Sequence, residues 1–227
     1  MLRFDIISIF PDIFSSYLEA SLIDRAQKKE LIDVHVHDLR DWTDDPHNTV
    51  DDRPYGGGIG MVMKVGPIYR AVKEIKEKGG FDQRESKVVL FTPRGVKYDQ
   101  KKAAQFSKLK QLIMICGRYE GIDERVAENI ADVELSIGDY VLMGGELAAM
   151  VVLESVSRLI PGVLGKPQLL DERVTEEKGF VEYPQYTRPE IFKTEKGEEW
   201  KVPEVLLSGH HQKIEEWREK RSKIIKE

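Results

Sequence analysis

The sequence predicts an α/β fold built on a mainly parallel sheet with helices on both faces. Short apolar runs of strand character alternate with segments of helical period through most of the chain. Glycine-rich turns follow directly on two of those runs, where an open α/β sheet holds ligands. The apolar fraction, 41% of 227 residues, suffices for a sizeable core.

Arg3–Phe10 reads as a buried strand, and Pro11 opens a helix with Phe14, Leu18, Leu22 and Ile23 on one face. Ile32–His37 alternates apolar and polar, as a half-buried strand does. Leu39–Gly60 lacks any period and is rich in Asp, Pro and Gly, so it is expected as a long functional loop. Pro67–Lys78 is helical, with Ile68, Val72 and Ile75 on one side. Ser86–Phe91 is a strand, Asp99–Lys108 a helix and Gln111–Cys116 a strand. Asp123–Ala131 forms a short helix and Val133–Ser136 a short strand. Glu146–Ile160 is a long apolar helix that stops before Pro161-Gly162. The expected division is a domain over residues 1–160, a charged linker over 161–182 and a small helical domain over 183–227. No internal repeat or low-complexity run is present.

Composition narrows the function. The charged fraction of 33%, dominated by Lys and Glu, leans toward a heat-adapted surface rich in ion pairs. The single cysteine, Cys116, excludes an internal disulfide and a cysteine zinc cluster, and its position after Leu112–Ile115 marks it as a buried small residue. The N-terminal apolar run is short and broken by Pro11-Asp12, unlike a signal peptide. No segment approaches the roughly 20 apolar residues of a membrane span, so a cytoplasmic protein is expected. The net charge of −5 argues against a generic nucleic-acid coat but leaves room for a specific RNA enzyme, because local patches make the phosphate contacts.

The most informative residues are Ile115-Cys-Gly-Arg-Tyr-Glu-Gly-Ile-Asp-Glu-Arg-Val126 and Ser136-Ile-Gly-Asp-Tyr-Val-Leu-Met-Gly-Gly-Glu146. Each of Gly117, Gly121, Gly138, Gly144 and Gly145 alone reads as a turn or helix-cap glycine. Clustered in two turns beside Tyr119 and Tyr140, they point to a pocket walled by main chain. Neither turn has the GxGxxG form of a dinucleotide fingerprint or the GKS/GKT end of a P-loop, which weighs against NAD and ATP.

These motifs resemble those of the bacterial tRNA (guanine-N1)-methyltransferases that modify guanine 37, members of the SPOUT superfamily. Asn48-Thr-Val-Asp-Asp-Arg-Pro-Tyr-Gly-Gly-Gly-Ile-Gly-Met61, Ser157-Arg-Leu-Ile-Pro-Gly-Val-Leu164 and Tyr183-Pro-Gln-Tyr-Thr-Arg-Pro189 agree with it, and the likeness runs from Phe4 to about Trp217. The resemblance implies a deep trefoil knot around Phe91–Gly95, Gly117–Gly121 and Ser136–Gly145, which pattern alone would never propose. It implies a homodimer with shared active sites and a C-terminal domain that grips the anticodon stem-loop of tRNA. It also implies S-adenosylmethionine, bound in a bent form by Leu90, Phe91, Thr92, Pro93, Gly117, Tyr119, Glu120, Gly121, Ser136, Ile137, Gly138, Tyr140, Leu142, Gly144 and Gly145. Glu120 and Glu124 could otherwise be solvated acids favoured by a helix dipole.

Asp51, Arg53, Tyr55, Gly58 and Gly60 lie in a loop whose plain reading is a polar connection. An aromatic, an arginine and a glycine run also suit a flipped base gripped at its edge and phosphate. Relatives more often carry proline where this chain has Ile59. Arg158 could simply compensate the C-terminal dipole of its helix; the resemblance instead sets it on the target guanine. The resemblance puts an essential aspartate in the interdomain linker, where this chain offers Asp171 with Glu172 beside it. A solvated linker charge is the alternative. Arg188, Tyr186 and the basic segment Lys213–Lys226 form an expected RNA-facing surface. His35 and His37 share a strand face without a metal motif, and His47 is a weak candidate for RNA contact. The family's reported use of Mg²⁺ finds no oxygen cage in the sequence.

Overall fold

The structure is a computed structural model and describes residues 1–165, 174–175 and 179–224. The chain divides into two compact units, Met1–Pro167 and Gln168–Glu227.

The first unit opens with β1 (Leu2–Ser8), whose Phe4 and Ile6 point to one face of the sheet and Ile7 to the other. A 3-10 turn at Pro11–Phe14 leads into α1 (Ser15–Leu18) and α2 (Ser21–Lys28). The single helix expected after Pro11 is therefore broken. Ser21 takes a φ of 57°, and one left-handed residue interrupts a helix without disturbing its apolar spacing. The strand β2 (Ile32–Asp38) follows, then a 3-10 turn at Leu39–Trp42. The expected long loop also contains β3 (Asp51–Asp52), which pairs antiparallel with β4 (Val62–Met63). Next come α3 (Val65–Gly79), β5 (Ser86–Lys97), α4 (Gln100–Phe106) and β6 (Gln111–Ile115). Then α5 (Glu124–Asn129), β7 (Val133–Ser136) and α6 (Glu146–Ser157) complete the unit. The carboxylates of Asp99 and Asp123 accept backbone N–H bonds from Lys102 and Arg125, capping α4 and α5.

The central sheet runs β2-β1-β6-β5-β7, and all its pairings are parallel. This is the mixed α/β architecture the alternation of elements implied. One core packs Phe4, Leu112, Met114, Val89 and Phe91 under α2, α4 and α6. The other packs Ile7, Ile113, Ile115, Val88 and Leu90 under α3 and α5. Successive residues of each strand serve opposite cores, as period-2 side chains must. Asp5, fully buried, accepts bonds from Arg3 and from Gln111 at 2.8 Å, and the His37 ring lies 2.9 Å away.

Strand β5 outruns the expected Ser86–Phe91. Phe91 and Val96 both pair with Leu135, so Thr92–Gly95 bulge out of register. A proline inside a strand marks such a bulge. Helix α6 ends at Ser157, short of the expected Ile160.

The second unit is mixed rather than helical. It has a hairpin of β10 (Ile191–Lys193) and β11 (Glu199–Lys201), preceded by β8 (Val174–Thr175) and β9 (Gly179–Glu182). Helices α7 (Glu204–Leu207) and α8 (His211–Arg221) follow, and β12 (Lys223–Ile224) pairs with β9. Strands of two to four residues are too short to show alternation, so a reading by period misses them.

Candidate functional site

A cavity of about 420 Å³ opens at the C-terminal ends of β5, β6 and β7. Its walls are the β5 bulge, the turn after β6 and the turn between β7 and α6. Leu90, Phe91, Thr92 and Pro93 line it from the first, and Gly117, Tyr119, Glu120 and Gly121 from the second. Ser136, Ile137, Gly138, Tyr140, Leu142, Gly144 and Gly145 line it from the third, with Ala148 of α6 at the base. In a parallel sheet this end of the strands is where ligands bind.

The turns hold one another through main chain. The Gly145 N–H donates to the Gly117 carbonyl at 3.0 Å. A Cβ on Gly145 would lie 2.8 Å from the Cys116 Cα and 3.2 Å from the Phe91 Cβ, so only glycine permits this approach. Tyr119 takes a φ of 59°, an uncommon conformation for a bulky residue. Its hydroxyl pKa is pushed up by burial first and by the charge of Asp51 second, with Arg40 opposing.

The Asp51–Met63 loop is stitched to the turn after β6. Glu120 N–H donates to the Met61 carbonyl, Met63 N–H to Gly121 and Asp123 N–H to Met63, all at 3.0–3.1 Å. Asp51 is thus brought near enough to Tyr119 for its charge to act on the phenol, and the side chain of Glu120 lies against Gly60. Arg53 and Tyr55 are exposed, Tyr55 completely. Gly56, Gly57, Gly58 and Gly60 all have positive φ. Arg158 caps α6 at its C-terminus, and its Nε is buried without a hydrogen-bond partner among the described residues. Asp171 and Glu172 lie outside the described residues.

Two groups at this site were not singled out from the sequence. Arg118 lines the cavity and donates from Nε to Glu146 at 3.0 Å, and Ser8 donates to the same carboxylate at 2.8 Å. Glu146 is only 2% exposed. The Arg118 guanidinium also sits 4.8 Å above the Phe10 ring. Both residues fall inside the two glycine motifs, and that was the available signal. Cys116, directly beneath, is fully buried. Burial, then Glu146, raises its thiol well above the ordinary value, with Arg118 opposing.

A family profile described as tRNA (Guanine-1)-methyltransferase TrmD matches residues 2–226. The chain belongs to this methyltransferase family. A tRNA (guanine-N(1)-)-methyltransferase of Dictyoglomus turgidum is 50% identical over 220 residues, covering 97% of this chain and 84% of the relative. One from Brevibacillus brevis is 49% identical, covering 97% of this chain and 86% of its own. The crystal structure of the tRNA (m1G37) methyltransferase from Aquifex aeolicus superposes with a TM-score of 0.76 at 43% identity, covering 95% of this chain and 87% of that one. Within the family frame, the cavity is the concave feature formed by its glycine motifs.

The methyltransferase's second unit carries Arg188 and Tyr186, both exposed, ahead of the hairpin. Tyr186 meets Trp217 edge-on at 6.2 Å, and Arg218 stacks 4.9 Å over Tyr183. His35 sits 2.7 Å from Asp33 and stacks on His37 at 6.2 Å. His47 is exposed in the loop. Among the described residues no helix is long and apolar enough to cross a membrane.

Proposed function

We propose that this chain transfers the methyl group of S-adenosylmethionine to N1 of guanine 37 of tRNA, beside the anticodon. The observation that carries the reading is the cavity of about 420 Å³ walled by glycine turns in a chain of the tRNA (guanine-N1)-methyltransferase family. Its residues fit that donor. Main-chain groups of Gly117–Gly121 and Ile137–Gly145 offer hydrogen bonds to an adenine edge, and Phe91, Ile137, Leu142 and Ala148 offer apolar walls. The size is within the range of small-molecule sites, roughly 300–1,000 Å³.

S-adenosylmethionine, when bound, supplies an electrophilic methyl on a sulfonium whose departing thioether is neutral. The protein must then orient guanine, remove the N1 proton and stabilise charge at O6. Asp171 takes that proton, with Glu172 the alternative. Arg158 steadies O6; its Nε, buried without a partner among the described residues, leaves a donor for that acceptor. Asp51, Arg53, Tyr55, Gly58 and Gly60 grip the flipped base, and Arg188 with the basic helix α8 meets the anticodon stem. Any Mg²⁺ would join through acidic groups such as Asp171.

The finer architecture belongs to the same proposal. A trefoil knot through Phe91–Gly95, Gly117–Gly121 and Ser136–Gly145 is part of it, and membership of the family is what supports it. A homodimer is supported by α6, which is apolar nearly all round yet leaves Leu147 56% and Val151 43% exposed. The enzyme would act in the cytoplasm, where tRNA is modified.

The test is methyl transfer from labelled S-adenosylmethionine to an unmodified tRNA transcript with guanines at 36 and 37, beside one with adenine at 37. The expected result is label on the first alone, digesting to 1-methylguanosine, and loss of turnover with retained donor binding in Asp171→Ala. Label as a 2′-O-methyl nucleoside would indicate a ribose methyltransferase, and tight tRNA binding without label a catalytically silent RNA-binding protein.

A further inference from the structure

The β5 bulge is a wall of the cavity. Thr92–Gly95 stand out of register between two pairings to the same residue, Leu135. Pro93 offers no N–H to any ladder. Gly95 touches down on β7: a Cβ there would come within 2.4 Å of the Leu135 nitrogen. A side-chain anchor is Arg94. Its Nε donates to Glu134 of β7 at 3.0 Å, and its Nη2 donates to Glu124 of α5 at 2.6 Å. Arg94, Glu124 and Glu134 all line the cavity. One guanidinium therefore joins the bulge to the first turn of α5 and to the end strand of the sheet, each of which contributes a side chain to the cavity lining.

All three side chains are solvent-accessible, at 57%, 55% and 33%. Ion pairs so exposed contribute little to global stability. A planar fork bridging two carboxylates nevertheless fixes geometry in a way a point charge cannot. We propose that Arg94 is a positioning residue for the methyl donor: by clamping the bulge to α5 and β7 it holds the cavity wall in its binding shape. This rests on the reading of the cavity as the donor site. Arg94 itself makes no bond to the reacting atoms; it acts through the Thr92–Pro93 main chain.

The experiment is calorimetric titration of S-adenosylmethionine into the full-length wild type, Arg94→Ala, Arg94→Lys and the double variant Glu124→Gln/Glu134→Gln, at low and high salt. Arg94→Ala is expected to weaken donor binding about fivefold, the effect of an ion-pair network worth somewhat less than a tenfold step. Its melting temperature should stay within about 2 °C of wild type. In turnover assays the donor KM rises by the same factor, while kcat at saturating donor changes less than twofold. Arg94→Lys recovers part of the affinity, and the double glutamine variant behaves like Arg94→Ala. Raising salt from about 0.05 M to about 0.5 M should weaken wild-type binding more than Arg94→Ala binding, because the wild type loses the clamp in addition to any screened contact of the donor itself. Equal donor affinity in wild type and Arg94→Ala at low salt would overturn the inference. Failure of the wild type itself to bind the donor would instead overturn the reading of the cavity.

Discussion

Arg118 and Glu146 form an ion pair at 3.0 Å behind the glycine turns, with the carboxylate almost wholly withdrawn from water. Glu146 opens α6, where the helix dipole favours an acid. The pair ties the turn after β6 to that helix, and Ser8 anchors it to β1. Burying such a pair is costly, and removing one partner is costlier than removing both. Glu146→Gln should therefore lower stability by about 2 kcal/mol. Arg118→Met should cost a similar amount. The double variant should cost clearly less than the sum in urea unfolding. Additive costs would show that the two residues are not coupled.

The Asp5 cluster predicts an acid-sensitive fold. Burial pushes the Asp5 carboxyl up, but bonds from His37, Arg3 and Gln111 more than offset it, leaving it below the ordinary carboxylate range. A carboxyl held below its unfolded value of about 3.9 contributes stability above that pH and loses it as pH falls through the folded value. Asp5→Asn should be less stable than wild type by about 2 kcal/mol at pH 7. The gap should narrow as pH falls below about 3.9 toward the lowered folded value, where wild-type Asp5 takes up its own proton. A gap of constant size from pH 7 to pH 3 would contradict this account.

Cys116 should be inert in the native protein. Burial is the main cause of its raised thiol pKa, and Glu146 adds to it. Reaction with a disulfide reagent at pH 8 should be at least about a hundredfold slower than for a free thiol, and prompt once denaturant unfolds the chain. Rapid modification of the folded protein would mean the turn after β6 opens readily.

Period and punctuation made the first unit legible. Phe4, Ile6 and Ile7, or Leu112, Ile113 and Met114, read as strands because their neighbours alternate between two cores. The glycine turns marked two walls of the cavity, because glycine is needed where Gly145 meets Cys116, while the β5 bulge came only through the family resemblance. The Arg118–Glu146 pair was not legible, since its partners lie 28 residues apart and nothing local distinguishes a buried acid from a solvated one. Arg94 was hidden for the same reason: its carboxylates come from 30 and 40 residues away. The break at Ser21 and the strands of two to four residues in the second unit lie below the resolution of any periodic pattern.

The central claim is that the cavity between β5, β6 and β7 receives the methyl donor. Leu142 lines it yet remains partly exposed, outside both cores. A tryptophan there would occupy the space without disturbing buried packing. The decisive measurement is equilibrium binding of S-adenosylmethionine to wild type and Leu142→Trp, with melting temperatures taken alongside. The account predicts one donor per chain for wild type and at least about a tenfold loss in the variant, about 1.4 kcal/mol, at unchanged melting temperature. Equal binding by both proteins would place the donor elsewhere and contradict it.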